Sequence, residues 1–89
     1  MSQQFTKDPD ATLDYAVDWM RWLAGDTIQT SEWIVPDGLN QVSASNTPTK
    51  ATVWLSGGTV GQSYTVTNRI TTAAGRTDER SIIIRVQDR

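Results

Sequence analysis

Four aspartates near the start of the chain are the first residues whose type and spacing could do chemistry. Asp8, Asp10, Asp14 and Asp18 could offer oxygen ligands to a calcium ion, which takes several carboxylate and carbonyl oxygens. The spacing of an EF-hand loop is missing, and on a strand the last two would lie about 13 Å apart on the solvent side. Aspartate is also common in turns, so we expect turn caps and a solvated face rather than a metal site.

Catalytic groups are equally sparse. The 89 residues include no histidine and no cysteine, so nucleophilic chemistry that depends on either residue is excluded. Serine, threonine and lysine are present, but no base is spaced to activate them. A separation of about 13 Å between carboxylates also exceeds the distances that glycoside hydrolases use. We therefore expect no enzymatic activity, no cofactor and no resident metal.

The composition describes one small acidic domain. Ten acidic and eight basic residues give a formal net charge of -2, which disfavours binding to DNA or RNA. The first ten residues lack the basic and apolar segments of a signal peptide, and no apolar run reaches the roughly 18 residues of a membrane span. We expect a domain made in the cytoplasm, independent of membranes, and stabilised by apolar packing without disulfides.

Most of the chain alternates between apolar and polar residues with a period of two, as half-buried β-strands do. Turn signals such as Pro36-Asp37-Gly38 separate the alternating segments at intervals of roughly 8 to 12 residues. This pattern predicts an all-β, immunoglobulin- or fibronectin-type antiparallel β-sandwich of six or seven strands over residues 13–89. Residues 1–12 would form an N-terminal arm or an edge strand. The clearest candidate strands cover residues 13–19, 27–35, 39–45, 50–56, 64–72 and 81–86.

Three segments need separate interpretation. Residues 20–24 are too few for a stable helix, so we expect a bend in which Trp22 or Leu23 packs beneath a sheet edge. The alternation of the following strand breaks near residues 30–32, which we interpret as a β-bulge. The strand at 81–86 is so apolar that an open edge would invite aggregation, so we expect neighbours to cover it.

The aromatic residues divide into structural and contact candidates. Tyr64 opens a strand after a glycine-rich corner, where immunoglobulin-type sandwiches use a tyrosine hydroxyl to bond an upstream backbone group. Trp19 and Trp33 lie on inward parities and are expected in the core. Trp22 and Trp54, the latter on an outward parity, are predicted partner contacts because tryptophan is enriched at interface hot spots. The predicted contact set also includes Phe5, Gly57, Gly58 and Gly61.

Three blocks of sequence form a pattern of their own, over residues 5–28, 31–39 and 49–81. The first contains Asp-Tyr-Ala-Val-Asp-Trp, the second Ser-Glu-Trp-Ile-Val-Pro, and the third Thr-Val-Trp-Leu-Ser-Gly-Gly. Together they resemble small virion proteins of tailed bacteriophages, the fiber-tail adaptor proteins. The resemblance covers nearly the whole chain, but the motifs carry no chemistry.

The resemblance implies a non-enzymatic structural protein of the virion tail or neck, made in the cytoplasm of the host bacterium. Such a protein would link tail fibers to the tail or head-tail connector in multiple symmetric copies. Its partners would be tail, connector and fiber proteins. Two alternatives stay open on the residues alone: a carbohydrate-binding or adhesion module with Trp22 and Trp54 as an aromatic platform, and a minor head-decoration protein.

Overall fold

The computed structural model describes residues 3–88, most of which lie in strands. The strands form a four-stranded sheet in the order β1-β7-β6-β3 and a three-stranded sheet in the order β2-β5-β4. The predicted all-β sandwich is confirmed, with seven strands. The elements in chain order are β1 (Gln3–Lys7), β2 (Leu13–Asp18), α1 (Met20–Leu23), β3 (Ile28–Ile34), β4 (Leu39–Asn46), β5 (Lys50–Gly57), β6 (Ser63–Thr72) and β7 (Thr77–Val86).

One strand pair departs from the antiparallel arrangement. β1 runs parallel to β7, with Gln3 opposite Ile82 and Lys7 opposite Val86, whereas the other neighbouring strands are antiparallel. Because β1 and β7 come from opposite ends of the sequence, no hairpin signal indicates their pairing. β1 covers only the C-terminal half of β7. Among residues 3–88, no strand pairs with Thr77–Ser81 on that side.

The core lies where the inward faces of the two sheets meet. β7 lies between β1 and β6, so the backbone of its apolar C-terminal half is paired on both sides, as expected. Burial of this apolar surface is the main source of stability. The sequence contains no cysteine, so no disulfide adds to it. The buried apolar residues are Tyr15, Val17, Trp19, Leu23, Ile28, Leu39, Ala51, Val53, Leu55, Val66, Ile70, Ile82, Ile84 and Val86.

The connection from β2 to β3 contains a short helix where the sequence predicted a bend. The Asp18 carboxylate accepts a hydrogen bond of 3.0 Å from the Met20 N–H at its start. Ala24 ends it in the left-handed conformation, at φ 48°. Burial of Leu23 stabilises a turn that would be too short to form alone. No helix among residues 3–88 is long and apolar enough to cross a membrane.

The bulge in β3 lies between Ile28 and Thr30, slightly before the predicted position. Because the bulge inserts one extra residue, the side chains that point into the core are even-numbered before it and odd-numbered after it. As a result Ile28 and Trp33 both pack against the core, although they lie on opposite parities of the sequence.

Candidate contact site

A cluster of tryptophan and arginine side chains closes the sandwich at α1. Trp19 is fully buried and meets Trp22 edge to face, with ring centroids 5.3 Å apart. The guanidinium of Arg80 lies 4.4 Å from the ring centre of Trp19, and that of Arg76 lies 4.2 Å from the ring centre of Trp22. Each pair gains a cation–π attraction in addition to apolar packing. Trp22, a predicted partner contact, is therefore half-buried within its own chain.

Asp26 ties this cluster to the turn between β6 and β7. Its carboxylate pairs with Arg76 at 3.2 Å and accepts a hydrogen bond from the Ala74 N–H. Hydrogen bonding, above all from the Thr72 side chain, lowers the pKa of Asp26 below its usual value. Arg76 in turn donates to the carbonyl oxygen of Leu23 at 2.8 Å. The helix and the turn are thus held together by structural contacts.

A buried asparagine that the sequence analysis did not single out links the four-stranded sheet to Trp19, the residue that follows β2. Asn68 is fully buried, and its Oδ1 accepts a hydrogen bond of 2.9 Å from Trp19 Nε1. Its Nδ2 donates to Ser31 Oγ at 2.9 Å and to the Glu32 carbonyl at 3.0 Å. Both amide donors are therefore satisfied. The sequence did contain one indication of this role: Asn68 is a polar residue at an inward-facing position between the apolar Val66 and Ile70 of β6.

The glycine-rich loop after β5 lies at the opposite end of the sandwich, where Tyr64 and Lys7 hold it. The Tyr64 hydroxyl accepts a hydrogen bond of 3.0 Å from the Thr59 N–H, an upstream backbone group. The Lys7 Nζ donates to the carbonyl oxygens of Gly57 at 2.7 Å and of Asp8 at 2.9 Å. Burial lowers the pKa of Lys7, while nearby carboxylates act in the opposite direction. Lys7 thereby fastens β1 to the loop.

Two of the three predicted contact glycines are constrained by their own chain. Gly57 and Gly58 are half-buried with φ of 79° and 102°. A Cβ on Gly58 would lie 2.6 Å from Val86 Cγ2, a distance that the packed core does not allow. At Gly61, with φ 89°, a Cβ would meet nothing within 4 Å. Only the tip of the loop is therefore accessible to a partner.

Replacement of Gly58 by alanine is expected to lower the free energy of unfolding by about 2–3 kcal/mol. Positive φ costs an L-residue roughly 1–2 kcal/mol, and crowding against Val86 adds about 1 kcal/mol or more. Gly61→Ala is the matched control, because it shares the positive φ without the crowding, and should cost only about 1–2 kcal/mol. Urea denaturation followed by tryptophan fluorescence measures both. Equal losses of unfolding free energy in the two variants would contradict the expected crowding at Gly58.

Trp54 stands on the outer face of the three-stranded sheet. It is 41% exposed, and its register partners on either side are Asp14 and Ser43, whose side chains are short. The indole therefore remains accessible from outside. Phe5, another predicted contact, is half-buried and packs against Tyr15 with ring centroids 5.1 Å apart. Of the predicted aromatic contacts, Trp54 has the accessible face.

The four aspartates considered for a metal site are distributed over a turn and a strand. Asp8 accepts a hydrogen bond of 2.8 Å from the Asp10 N–H, and Asp18 receives one from the start of α1. Within the described part of the chain, no three metal-binding side chains come together. The Asp8 and Asp18 carboxylates therefore accept hydrogen bonds from the local backbone.

An open cleft, here called the lateral cleft, lies beside the start of β1, between the two sheets. It has a volume of about 590 Å³ and adjoins a hollow of about 520 Å³ beside α1. Its walls come from residues 16–18 of β2 and 80–82 of β7, with Gln3 and Lys50 at the margins. Sequence reasoning missed this cleft because its residues come from four strands that only the fold brings together.

Comparison with known protein families shows the family to which the chain belongs. A family profile described as podophage GP4 fiber-tail adaptor protein gp77 matches residues 7–85, which include β2 to β6 and nearly all of β7. The chain belongs to this family. The resemblance read from the sequence is confirmed, and the protein has a structural role in a phage. Its family places it with the proteins of the virion tail.

A solved structure is similar in fold. The solution structure of the PKD domain from KIAA 1837 protein matches with a TM-score of 0.57 and 21% sequence identity, covering 98% of this chain and 80% of that chain. At this identity the likeness concerns the immunoglobulin-like fold alone. No curated protein matches the chain.

Proposed function

We propose that the protein is a non-enzymatic adaptor that links tail fibers to the tail or head-tail connector of a podophage virion. The observation that carries this proposal is the family match over residues 7–85, which takes in nearly all of the sandwich. The protein would reside in the tail or neck in multiple symmetric copies, after synthesis in the host cytoplasm. Its partners would be fiber, tail and connector proteins.

The described side chains support docking rather than catalysis. The groups with shifted pKa values are engaged in structural contacts: burial lowers the pKa of Lys7 under the loop, and hydrogen bonding to Glu79 raises that of Arg69. Arg69 lies on the outer sheet face, between Glu79 and Glu32. Neither residue lines the lateral cleft. An adaptor of this kind acts through the shape and charge of a rigid surface.

The carbohydrate-binding alternative required Trp22 and Trp54 to form one aromatic platform. Trp22 packs with Trp19 and Arg76 at α1, whereas Trp54 lies on the outer face of the three-stranded sheet. The two rings therefore do not share a surface. A glycan array probed with the isolated chain is expected to show no binding.

The adaptor function is tested with phage particles that lack this gene. Particles formed without the protein are expected to keep their heads but to carry no fibers, and the protein supplied in trans should restore them. Electron microscopy and quantitative mass spectrometry of purified particles measure both. Fibered particles that lack the protein would refute the proposed linkage.

Trp54→Ala is expected to reduce the number of copies per particle by about tenfold or more, because a tryptophan hot spot contributes about 2 kcal/mol or more to binding. The melting temperature should change little, since the ring packs on an outer face. Ile34→Ala is the control: it also removes an exposed apolar side chain, 47% exposed, but from the other sheet. Equal incorporation of the two variants would argue against a contact at Trp54.

A further inference from the structure

Three cations surround the lateral cleft and the hollow that adjoins it. Arg80 lines both hollows, Lys50 lines the larger one and Arg21 the smaller one. None of them lies within 4.0 Å of a carboxylate oxygen among the described residues. The one carboxylate in the lining, Asp18, accepts a hydrogen bond from the start of α1. Arg80 also packs on the Trp19 ring and donates a hydrogen bond of 3.0 Å to the Asp18 carbonyl oxygen, and Lys50 lies opposite Asp18 in the register of β2 and β5. On the adjoining segment of β7, Glu79 pairs with Arg69, and the Asp78 carboxylate accepts a hydrogen bond from the Glu79 N–H. Three cations and the single carboxylate of Asp18 leave the cleft and the hollow with an excess of positive charge, on a chain with a net charge of -2.

The same cleft has an apolar floor and an unpaired strand edge. Val17 and Ile82, both buried, line it between the sheets, and Ala16 of the edge strand β2 also contributes to its lining. Because β1 begins opposite Ile82, the backbone of Thr77–Ser81 has no partner strand on this side among residues 3–88. Unpaired edge groups of this kind can hydrogen-bond to an added extended segment. The cleft therefore combines an unpaired backbone edge, an apolar floor and positively charged residues at its rim.

We propose that this cleft binds an acidic, extended segment of a partner protein, added alongside the N-terminal half of β7 and in line with β1. Its carboxylates would face Arg21, Lys50 and Arg80, and alternate apolar side chains would lie between the sheets against Val17. This inference rests on the adaptor function for the identity of the partner as a virion protein. It also supplies a second surface, distinct from Trp54, and an adaptor must contact two partners.

The first test uses the full chain labelled with nitrogen-15 and two capped peptides of seven residues. In one peptide glutamate alternates with valine, and in the other lysine alternates with valine. The glutamate peptide is expected to shift the backbone amide signals of residues 77–81 and 16–18 and to leave those around Trp54 unchanged. High salt should weaken this binding by about threefold or more, because exposed charges are screened. The lysine peptide should not bind.

A charge reversal at the rim sharpens the test. Lys50→Glu changes an exposed residue and is expected to weaken binding of the glutamate peptide by about threefold or more, as attraction becomes repulsion. Arg85→Glu is the matched control, since it makes the same change of charge at an exposed position on the outer face of β7. The control should bind the peptide as tightly as the unmodified chain.

Three results would overturn the proposal: no signal shifts with the glutamate peptide, equal binding by Lys50→Glu and Arg85→Glu, or shifts confined to the Trp54 face. Particle composition separates this inference from the proposed function. If the chain is needed for fibers but the glutamate peptide does not bind, the adaptor function stands and the acidic segment is rejected. If fibered particles lack the chain, the adaptor function fails whatever the peptide does.

Discussion

Replacement of Trp19 by alanine is expected to lower the free energy of unfolding by about 3–5 kcal/mol, the usual cost of removing a buried tryptophan. The change removes the ring that fills the core beside α1, and with it the contacts to Trp22 and Arg80. It also leaves the buried Oδ1 of Asn68 without its donor. A domain of this kind has only about 5–15 kcal/mol in total, so a large fraction of its stability depends on this one side chain.

Chemical denaturation followed by far-ultraviolet circular dichroism measures this loss. Trp54→Ala is the matched control, because it removes the same side chain from an exposed position and should cost about 1 kcal/mol or less. If the alanine variant does not fold, Trp19→Phe keeps one aromatic ring and removes the Nε1 donor together with part of the indole volume, at an expected cost of about 1–3 kcal/mol. Equal losses at positions 19 and 54 would contradict the role assigned to Trp19.

Asn68→Ala is expected to lower the free energy of unfolding by about 2–4 kcal/mol. The buried Trp19 Nε1 loses its acceptor, and an unsatisfied buried group costs about 1–3 kcal/mol. Ser31 and the Glu32 carbonyl also lose their donor, and a small cavity remains. Asn46→Ala is the control, since this exposed asparagine bonds only locally and should cost about 0.5 kcal/mol or less.

A double-mutant cycle tests whether Asn68 acts through Trp19. The variants Trp19→Phe and Asn68→Ala each remove the same hydrogen bond, so their combined loss should be smaller than the sum of the single losses. Urea denaturation of the four proteins gives the coupling free energy. Strictly additive losses would mean that the bond between the two side chains contributes nothing measurable.

The strands of the sandwich were predictable because their side chains obey a period of two. Ala51, Val53 and Leu55 are buried, and Trp54 between them is exposed, as their parity requires. The same logic identified the inward face that begins at Tyr64. A local pattern suffices here because each sheet face separates core from solvent.

The rest could not be read locally, because it depends on segments that are distant in sequence. Lys7 is buried only because β1 pairs with the end of β7 and brings its amine to the Gly57 carbonyl. α1 forms because Leu23 packs in the core and Trp22 packs against Arg76. The lateral cleft likewise lies beside the N-terminal half of β7, which β1 does not reach among residues 3–88. Periodicity contains no information on these contacts.

The parallel pairing of β1 with β7 determines how the sandwich would respond to mechanical tension. A pull that separates Gln3 from Val86 drives the two strands past each other lengthwise, so the hydrogen bonds of the ladder from Gln3 to Lys7 are loaded together in shear. In an antiparallel hairpin pulled at its open end, the hydrogen bonds would instead be loaded and broken one at a time. At the far end of β1, the ammonium of Lys7 anchors the strand to the Gly57 carbonyl.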